Sequence, residues 1–126
     1  MVKNGNVAVE TFGEDEAPVV PPRIKDTLFR IGQEAIANSI RHAAPNTLRI
    51  KVDQRGAYLQ LSVEDDGTGF IADSSHAGFG LLGMRKRAES ISARLRIKSA
   101  PGSGTTVEVR AFVGFRFQSV RWLNGG

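Results

Sequence analysis

The sequence contains no cysteine, only two histidines and no long apolar run. The lack of cysteine excludes disulfide frameworks, thiolate zinc sites and cysteine nucleophiles, and two histidines are too few for a histidine-built metal cage. No apolar stretch approaches the roughly 20 residues that span a bilayer, and no signal-peptide pattern follows Met1. The chain has 126 residues, of which 40% are hydrophobic. We therefore expect one globular domain, residues 1–126, of an intracellular protein.

Glycine is plentiful, and basic residues are concentrated near one end. The 14 glycines exceed the average usage of about 7%. Residues 1–84 carry 8 basic and 11 acidic side chains, whereas residues 85–126 carry 9 and 2. A basic segment can indicate a nucleic acid, a membrane or another anionic partner. Because Arg94, Arg96 and Lys98 alternate with apolar residues, as on a half-buried strand, we favour an ordinary solvated surface.

Hydrophobic periodicity predicts two helices packed on one sheet. Apolar spacings of three and four indicate helices, and apolar residues at alternate positions indicate strands that form two hairpins. Helices on one face of a mixed, mostly antiparallel sheet make a two-layer α/β (α+β) sandwich. The predicted helices cover residues 23–43 and 81–91, and the predicted strands cover residues 6–11, 48–53, 59–64, 95–99 and 105–111.

The first predicted helix carries a polar group on one face. Glu34, Asn38 and Arg41 are spaced four and three residues apart, so they share a face, and His42 lies one residue further round. Mg²⁺ favours oxygen ligands and keeps several waters, so the Asn38 amide oxygen can suffice as its protein ligand. The alternative is a solvent-facing helix surface without function.

A second cluster, residues 64–70, follows an apolar strand. Its Asp65 is followed by Gly67 and Gly69, which suit close backbone approach to a planar ligand. An ionised carboxylate only accepts hydrogen bonds, so it can select the amino group of adenine over the oxygen of guanine. The alternatives are an Asp/Gly-rich turn and a calcium loop, and the ligand spacing of a calcium loop is absent.

The third cluster, residues 78–84, opens the second helix. Its alternating glycines, with Gly78 and Gly80 first, present backbone N–H groups and a helix N-terminus to an anion. The dinucleotide-binding context and the Lys-Ser/Thr end of a P-loop are both missing. The cluster is therefore interpreted as the hinge of a phosphate-binding lid.

Together these clusters resemble the GHKL ATPase superfamily, which includes gyrase, Hsp90, MutL and the histidine kinases. Residues 34–38 resemble its N box, residues 65–69 and 78–81 its two glycine boxes, and residues 104–106 its final glycine-threonine motif. Residues 28–35 and 80–85 are similar to sensor histidine kinases that partner LuxR/NarL-type response regulators. The resemblance covers residues 18–110 and implies a Bergerat ATP-binding fold.

The resemblance also implies roles for individual residues in a Mg-ATP site. Asp65 would accept the adenine amino hydrogen, Asn38 would coordinate Mg²⁺, and Arg41 would contact phosphate. Glu34 would activate water in the related ATPases, whereas in histidine kinases positioning and charge neutralisation dominate. The catalytic residues are expected to be Glu34, Asn38 and Arg41, and the ATP contacts Asn38, Arg41, His42, Asp65, Gly67, Gly69, Gly78, Gly80, Leu81 and Thr105.

Two features depart from the family pattern. No dimerisation helix with a phosphoacceptor histidine is recognisable, since His42 lies in the N box and His76 in the lid. We therefore expect an ATP-binding part that transfers phosphate poorly alone. The tail, residues 111–126, is rich in aromatic residues and would extend the last strand, form an interface or be a cloning-derived or frame-shifted end.

The sequence thus predicts the cytoplasmic ATP-binding domain of a bacterial two-component sensor histidine kinase. Its partners would be the phosphoacceptor dimerisation domain of the parent kinase and a LuxR/NarL-type response regulator, with no nucleic acid or membrane contact. A nucleotide-sensing module without transfer activity remains an alternative, as does an anti-sigma-type serine kinase, which the Gly-Met-Arg sequence at residues 83–85 disfavours. A nucleic-acid-binding module would rest only on the basic C-terminal third.

Overall fold

The computed structural model describes residues 8–12, 20–69 and 80–114. Within these residues no helix is both long and apolar enough to cross a membrane. The two helices and five strands that the periodicity predicts are all present. They are β1 (Ala8–Phe12), α1 (Pro22–Asn38), a π-helical turn (Ser39–Ala43), β2 (Thr47–Arg55), β3 (Tyr58–Asp65), α2 (Leu81–Ser90), β4 (Arg94–Ser99) and β5 (Thr105–Phe112).

The strands form one mixed sheet in the order β1-β2-β3-β5-β4. β1 runs parallel to β2, and all other neighbours are antiparallel. The predicted two-layer fold is confirmed. The strand order was not predicted from the sequence: β5 lies between β3 and β4, so the last described strand is inside the sheet rather than at its edge.

The two faces of the sheet differ in polarity. The ladder places Ile50, Val63, Val107 and Ile97 in one row across four strands, on the face that packs against the helices. The largest fully buried side chains come from both layers: Ile31, Leu48, Met84 and Val109. The opposite face is mostly polar and includes the exposed Arg94, Arg96 and Lys98, as the alternation in β4 predicts.

The C-terminal end of α1 changes its helical geometry. Buried Leu28, Ile31 and Ala35 confirm the predicted apolar stripe. The helical run ends at residue 43, as expected, but its last five residues form a π-helical turn. Ala44 then adopts a left-handed conformation with φ of 47°. The right-handed helical region is disfavoured there because Pro45 follows, so the helical run does not continue.

Asp66 ties the end of β3 to the start of β2. Its Oδ1 accepts hydrogen bonds from the backbone N–H groups of Asn46 at 2.8 Å and Thr47 at 2.9 Å. The hydrogen bond from Thr47, supported by that from Asn46, lowers the pKa of Asp66, because both bonds favour the ionised carboxylate. The ionised side chain therefore anchors the loop that follows β3.

We expect Asp66→Asn to weaken the pH dependence of stability in acid. Because the folded-state pKa of Asp66 is lowered, its contribution is complete above the ordinary aspartate pKa of about 3.9 and is lost as pH falls through the lower value. Urea denaturation between about pH 5 and pH 2 should show a shallower fall in unfolding free energy for the variant than for the wild type. Identical slopes would contradict this role of Asp66.

Candidate nucleotide-binding site

A cavity open to solvent lies between the helices and the sheet. Its empty space, including the mouth, is about 510 Å³, a size typical of small-molecule sites. The lining combines apolar walls with a few polar groups and comes from α1, the π-helical turn, β3, β5, α2 and the loop after β3. The lining residues are Ala35, Asn38, Ser39, His42, Ala43, Val63, Asp65, Gly69, Leu81, Met84, Thr105 and Val107.

Asp65 is the carboxylate of this cavity. It is the last residue of β3, and its Oδ1 accepts a hydrogen bond from the backbone N–H of Gly67 at 2.8 Å. In the part of the chain that the structure describes, no hydrogen bond to Oδ2 is present. The carboxylate is thus held in place by its own loop and retains an oxygen that can accept a hydrogen from a ligand.

Thr105 lies beside Asp65, because the two residues are directly paired between β5 and β3. The Thr105 Oγ1 is 2.8 Å from Ser99 Oγ, and Ser99 Oγ donates to the carbonyl oxygen of Gly104 at 3.1 Å. The two hydroxyls and the Gly104 carbonyl thus form one hydrogen-bonded chain, in which either hydroxyl can be the donor between Ser99 and Thr105. Beside the Asp65 carboxylate, the Thr105 hydroxyl can therefore accept a hydrogen from a ligand.

Only part of the predicted polar face of the first helix lines the cavity. Asn38 and His42 line it. Glu34 and Arg41 do not belong to the lining and instead contact each other, with Arg41 Nη2 3.5 Å from Glu34 Oε2. This pair is well exposed, so its contribution to stability is small. The predicted face is thus brought to one place, with two residues in the cavity and two beside it.

The predicted glycines have different surroundings. Gly69 lines the cavity. Gly67 instead packs on the π-helical turn: a Cβ there would collide with the carbonyl oxygen of Ala43, which accepts a hydrogen bond from the Thr68 N–H at 2.8 Å. A Cβ at Gly80 would lie 2.9 Å from Glu34 Oε2. The lack of a side chain at Gly67 therefore allows the loop after β3 to pack closely against the π-helical turn. Gly78 and the rest of the predicted lid, residues 71–79, lie outside the described residues.

The N-terminus of α2 lies at the edge of the cavity. Leu81, the first residue of the helix, lines the cavity, and no acidic side chain occupies the first turn. The first N–H groups of a helix lack intrahelical partners and carry a partial positive charge. This edge therefore favours an anionic group of a ligand.

Ser39 is a lining residue that sequence reasoning missed. It directly follows Asn38, is only 3% exposed, and has an Oγ without a hydrogen-bond partner in the described structure. A serine on a mostly apolar helix face gives no signal of its own in the sequence. Its place in the cavity depends on how α1 packs against β3 and β5.

A metal site built from several acidic or histidine side chains is not found among residues 8–12, 20–69 and 80–114. In the cavity itself, the carboxamide of Asn38 supplies a side-chain oxygen of the kind that Mg²⁺ prefers. The donor set thus fits a cation that is held largely by water and by a bound ligand.

Known proteins with similar sequences are bacterial sensors. The chain is 44% identical over 93 residues to the sensor protein VraS of Staphylococcus saprophyticus and 43% identical to that of Staphylococcus aureus. Each match covers 73% of this chain and 27% of the relative. The chain therefore spans about a quarter of the length of these curated relatives.

Solved structures of histidine kinases have the same fold. The histidine kinase domain of a blue-light activated kinase from Erythrobacter litoralis matches with a TM-score of 0.71 and 21% identity, over 87% of this chain and 54% of that one. The Acinetobacter baumannii histidine kinase AdeS matches with a TM-score of 0.70 and 19% identity, over 89% and 57%. At these identities the likeness shows the fold alone.

The family match covers α2, all but the first two residues of α1, β2 to β5 and the whole cavity. The sequence profile described as histidine kinase-, DNA gyrase B- and HSP90-like ATPase matches residues 24–113. All twelve lining residues fall inside this range. The chain therefore belongs to the family of histidine kinase-, DNA gyrase B- and HSP90-like ATPases.

Proposed function

We propose that the chain is the ATP-binding catalytic domain of a bacterial two-component sensor histidine kinase. The observation that carries the proposal is the cavity, in which Asp65 and Thr105 lie together on the sheet while Asn38 and His42 come from α1 and the π-helical turn. The family match and the similarity to VraS support the same function. ATP binding follows from the family, and transfer to histidine is the step that we infer.

The sheet side of the cavity would hold the adenine base. Asp65 Oδ2 would accept a hydrogen from the amino group, and Thr105 would add a second acceptor. Apolar side chains such as Val63, Met84 and Val107 would pack against the base. Because the ionised Asp65 carboxylate only accepts, this edge disfavours a base that presents an oxygen at the same place.

The helix side of the cavity would hold the phosphates and Mg²⁺. Asn38 would supply an amide oxygen to the cation, and the N-terminus of α2 would favour the negative charge. Bound Mg²⁺ would neutralise phosphate charge, which is a main requirement of phosphoryl transfer. Glu34 would position Arg41, the residue that the family resemblance assigns to phosphate, through their ion pair.

The parent protein would supply the remaining parts of the reaction. The phosphoacceptor histidine would come from a dimerisation domain, because no residue of the cavity other than His42 has an imidazole and that ring lies in the nucleotide site. A response regulator of the LuxR/NarL type would then receive the phosphate. ATP as substrate and such a partner support a cytoplasmic location for this domain.

We predict that Asp65→Asn weakens ATP binding by roughly tenfold to a hundredfold. The variant loses a charge-assisted hydrogen bond to the adenine amino group, worth about 1.5–3 kcal/mol. Calorimetric titration with ATP and GTP checks this, with Asp53→Asn on the outer sheet face as the matched control. Tight GTP binding by the wild type, or unchanged ATP affinity of Asp65→Asn, would contradict the assignment.

We predict that Asn38→Ala removes most of the gain in ATP affinity that Mg²⁺ provides, while nucleotide binding without Mg²⁺ persists. Titrations with and without Mg²⁺ measure this difference. Transfer to a supplied histidine domain should fall on the order of 10²-fold or more, because charge neutralisation dominates the reaction. Asn46→Ala, an exposed asparagine outside the cavity, is the control. Unchanged Mg²⁺ dependence in Asn38→Ala would refute the role.

A further inference from the structure

The Ser39 hydroxyl is a buried polar group that its own fold leaves unused. Ser39 is 3% exposed and lines the cavity, yet its Oγ has no hydrogen-bond partner in the described structure. Its backbone N–H donates to the carbonyls of Ala35 and Ile36 at the end of α1. A buried hydroxyl without a partner is unfavourable and rare in native proteins. A hydroxyl of this kind on a cavity wall points to a bound ligand or water.

The other polar side chains of the cavity already have interaction partners in the protein. Asp65, when ionised, only accepts, and the Thr105 hydroxyl already has a hydrogen-bond partner in Ser99. Asn38 and His42 have contacts of their own. Within the described residues, Ser39 is therefore the hydroxyl of the cavity that has no hydrogen-bond partner.

We propose that the Ser39 hydroxyl donates a hydrogen bond to a ring nitrogen of the adenine base, directly or through one buried water. The assignment rests on the proposed function, since it requires adenine in this cavity. Adenine presents a hydrogen-bearing amino group next to ring nitrogens that accept. Asp65 satisfies the first and Ser39 the second, and guanine reverses this pattern on the corresponding edge. Ser39 is thus a specificity-determining residue of the site.

The test compares Ser39→Ala with the wild type. The substitution removes one oxygen and leaves the backbone geometry and almost all of the side-chain volume in place. We expect the Kd for ADP to rise roughly 3- to 10-fold, the effect of one hydrogen bond. The unfolding temperature without nucleotide should stay unchanged or rise, since the buried hydroxyl lacks a protein partner. Ser62→Ala is the matched control, because Ser62 is also buried but belongs to the opposite face of the sheet.

Titration with adenosine separates a contact to the base from a contact to phosphate. The fold-loss of Ser39→Ala should be the same for adenosine and for ADP. A loss seen only with ADP would overturn the proposal, as would wild-type affinity of the variant. So would a lower unfolding temperature without nucleotide, since it would show a structural role. If the wild type failed to bind ADP, that result would instead contradict the proposed function, on which the role of Ser39 rests.

Discussion

The antiparallel pairing of β3 with β5 is the constraint on which the site depends. This pairing places Asp65 directly opposite Thr105 at one end of the sheet, and Val63 opposite Val107 next to them. Both pairs lie on the side of the sheet that faces the helices. Asp65 and Thr105 therefore supply the polar groups of the cavity on the sheet side, and Val63 and Val107 supply apolar surface beside them. A slip of β5 by one residue against β3 would turn Thr105 and Val107 to the outer face and separate them from Asp65 and Val63.

The helix side of the cavity depends on how α1 ends. The π-helical turn carries Ser39, His42 and Ala43 into the cavity wall, and the loop after β3 packs against it through Gly67. Asp66 fastens the same loop to the start of β2. These backbone contacts join the sheet end and the helix end, so the two halves of a ligand site are held at a fixed distance.

Much of this arrangement was accessible from the sequence, and the rest was not, for physical reasons. Apolar spacing predicted the helices and strands because it reports which face of each element is buried, and the motifs predicted Asn38, Asp65 and Thr105. The position of β5 between β3 and β4 depends on long-range pairing, which local periodicity does not encode. The place of Ser39 in the cavity and the packing role of Gly67 both depend on contacts between residues more than twenty positions apart in the chain. No local pattern therefore predicts them.

The most direct test of this account is nuclear magnetic resonance of the backbone amides during titration with ADP and, separately, GDP. The account predicts saturable shifts with ADP at Ser39, Gly69 and Thr105, which line the cavity, and none at Arg96 on the outer sheet face. GDP should cause much smaller shifts at the same concentrations. Shifts confined to the outer face, or equal responses to ADP and GDP, would contradict an adenine site in this cavity.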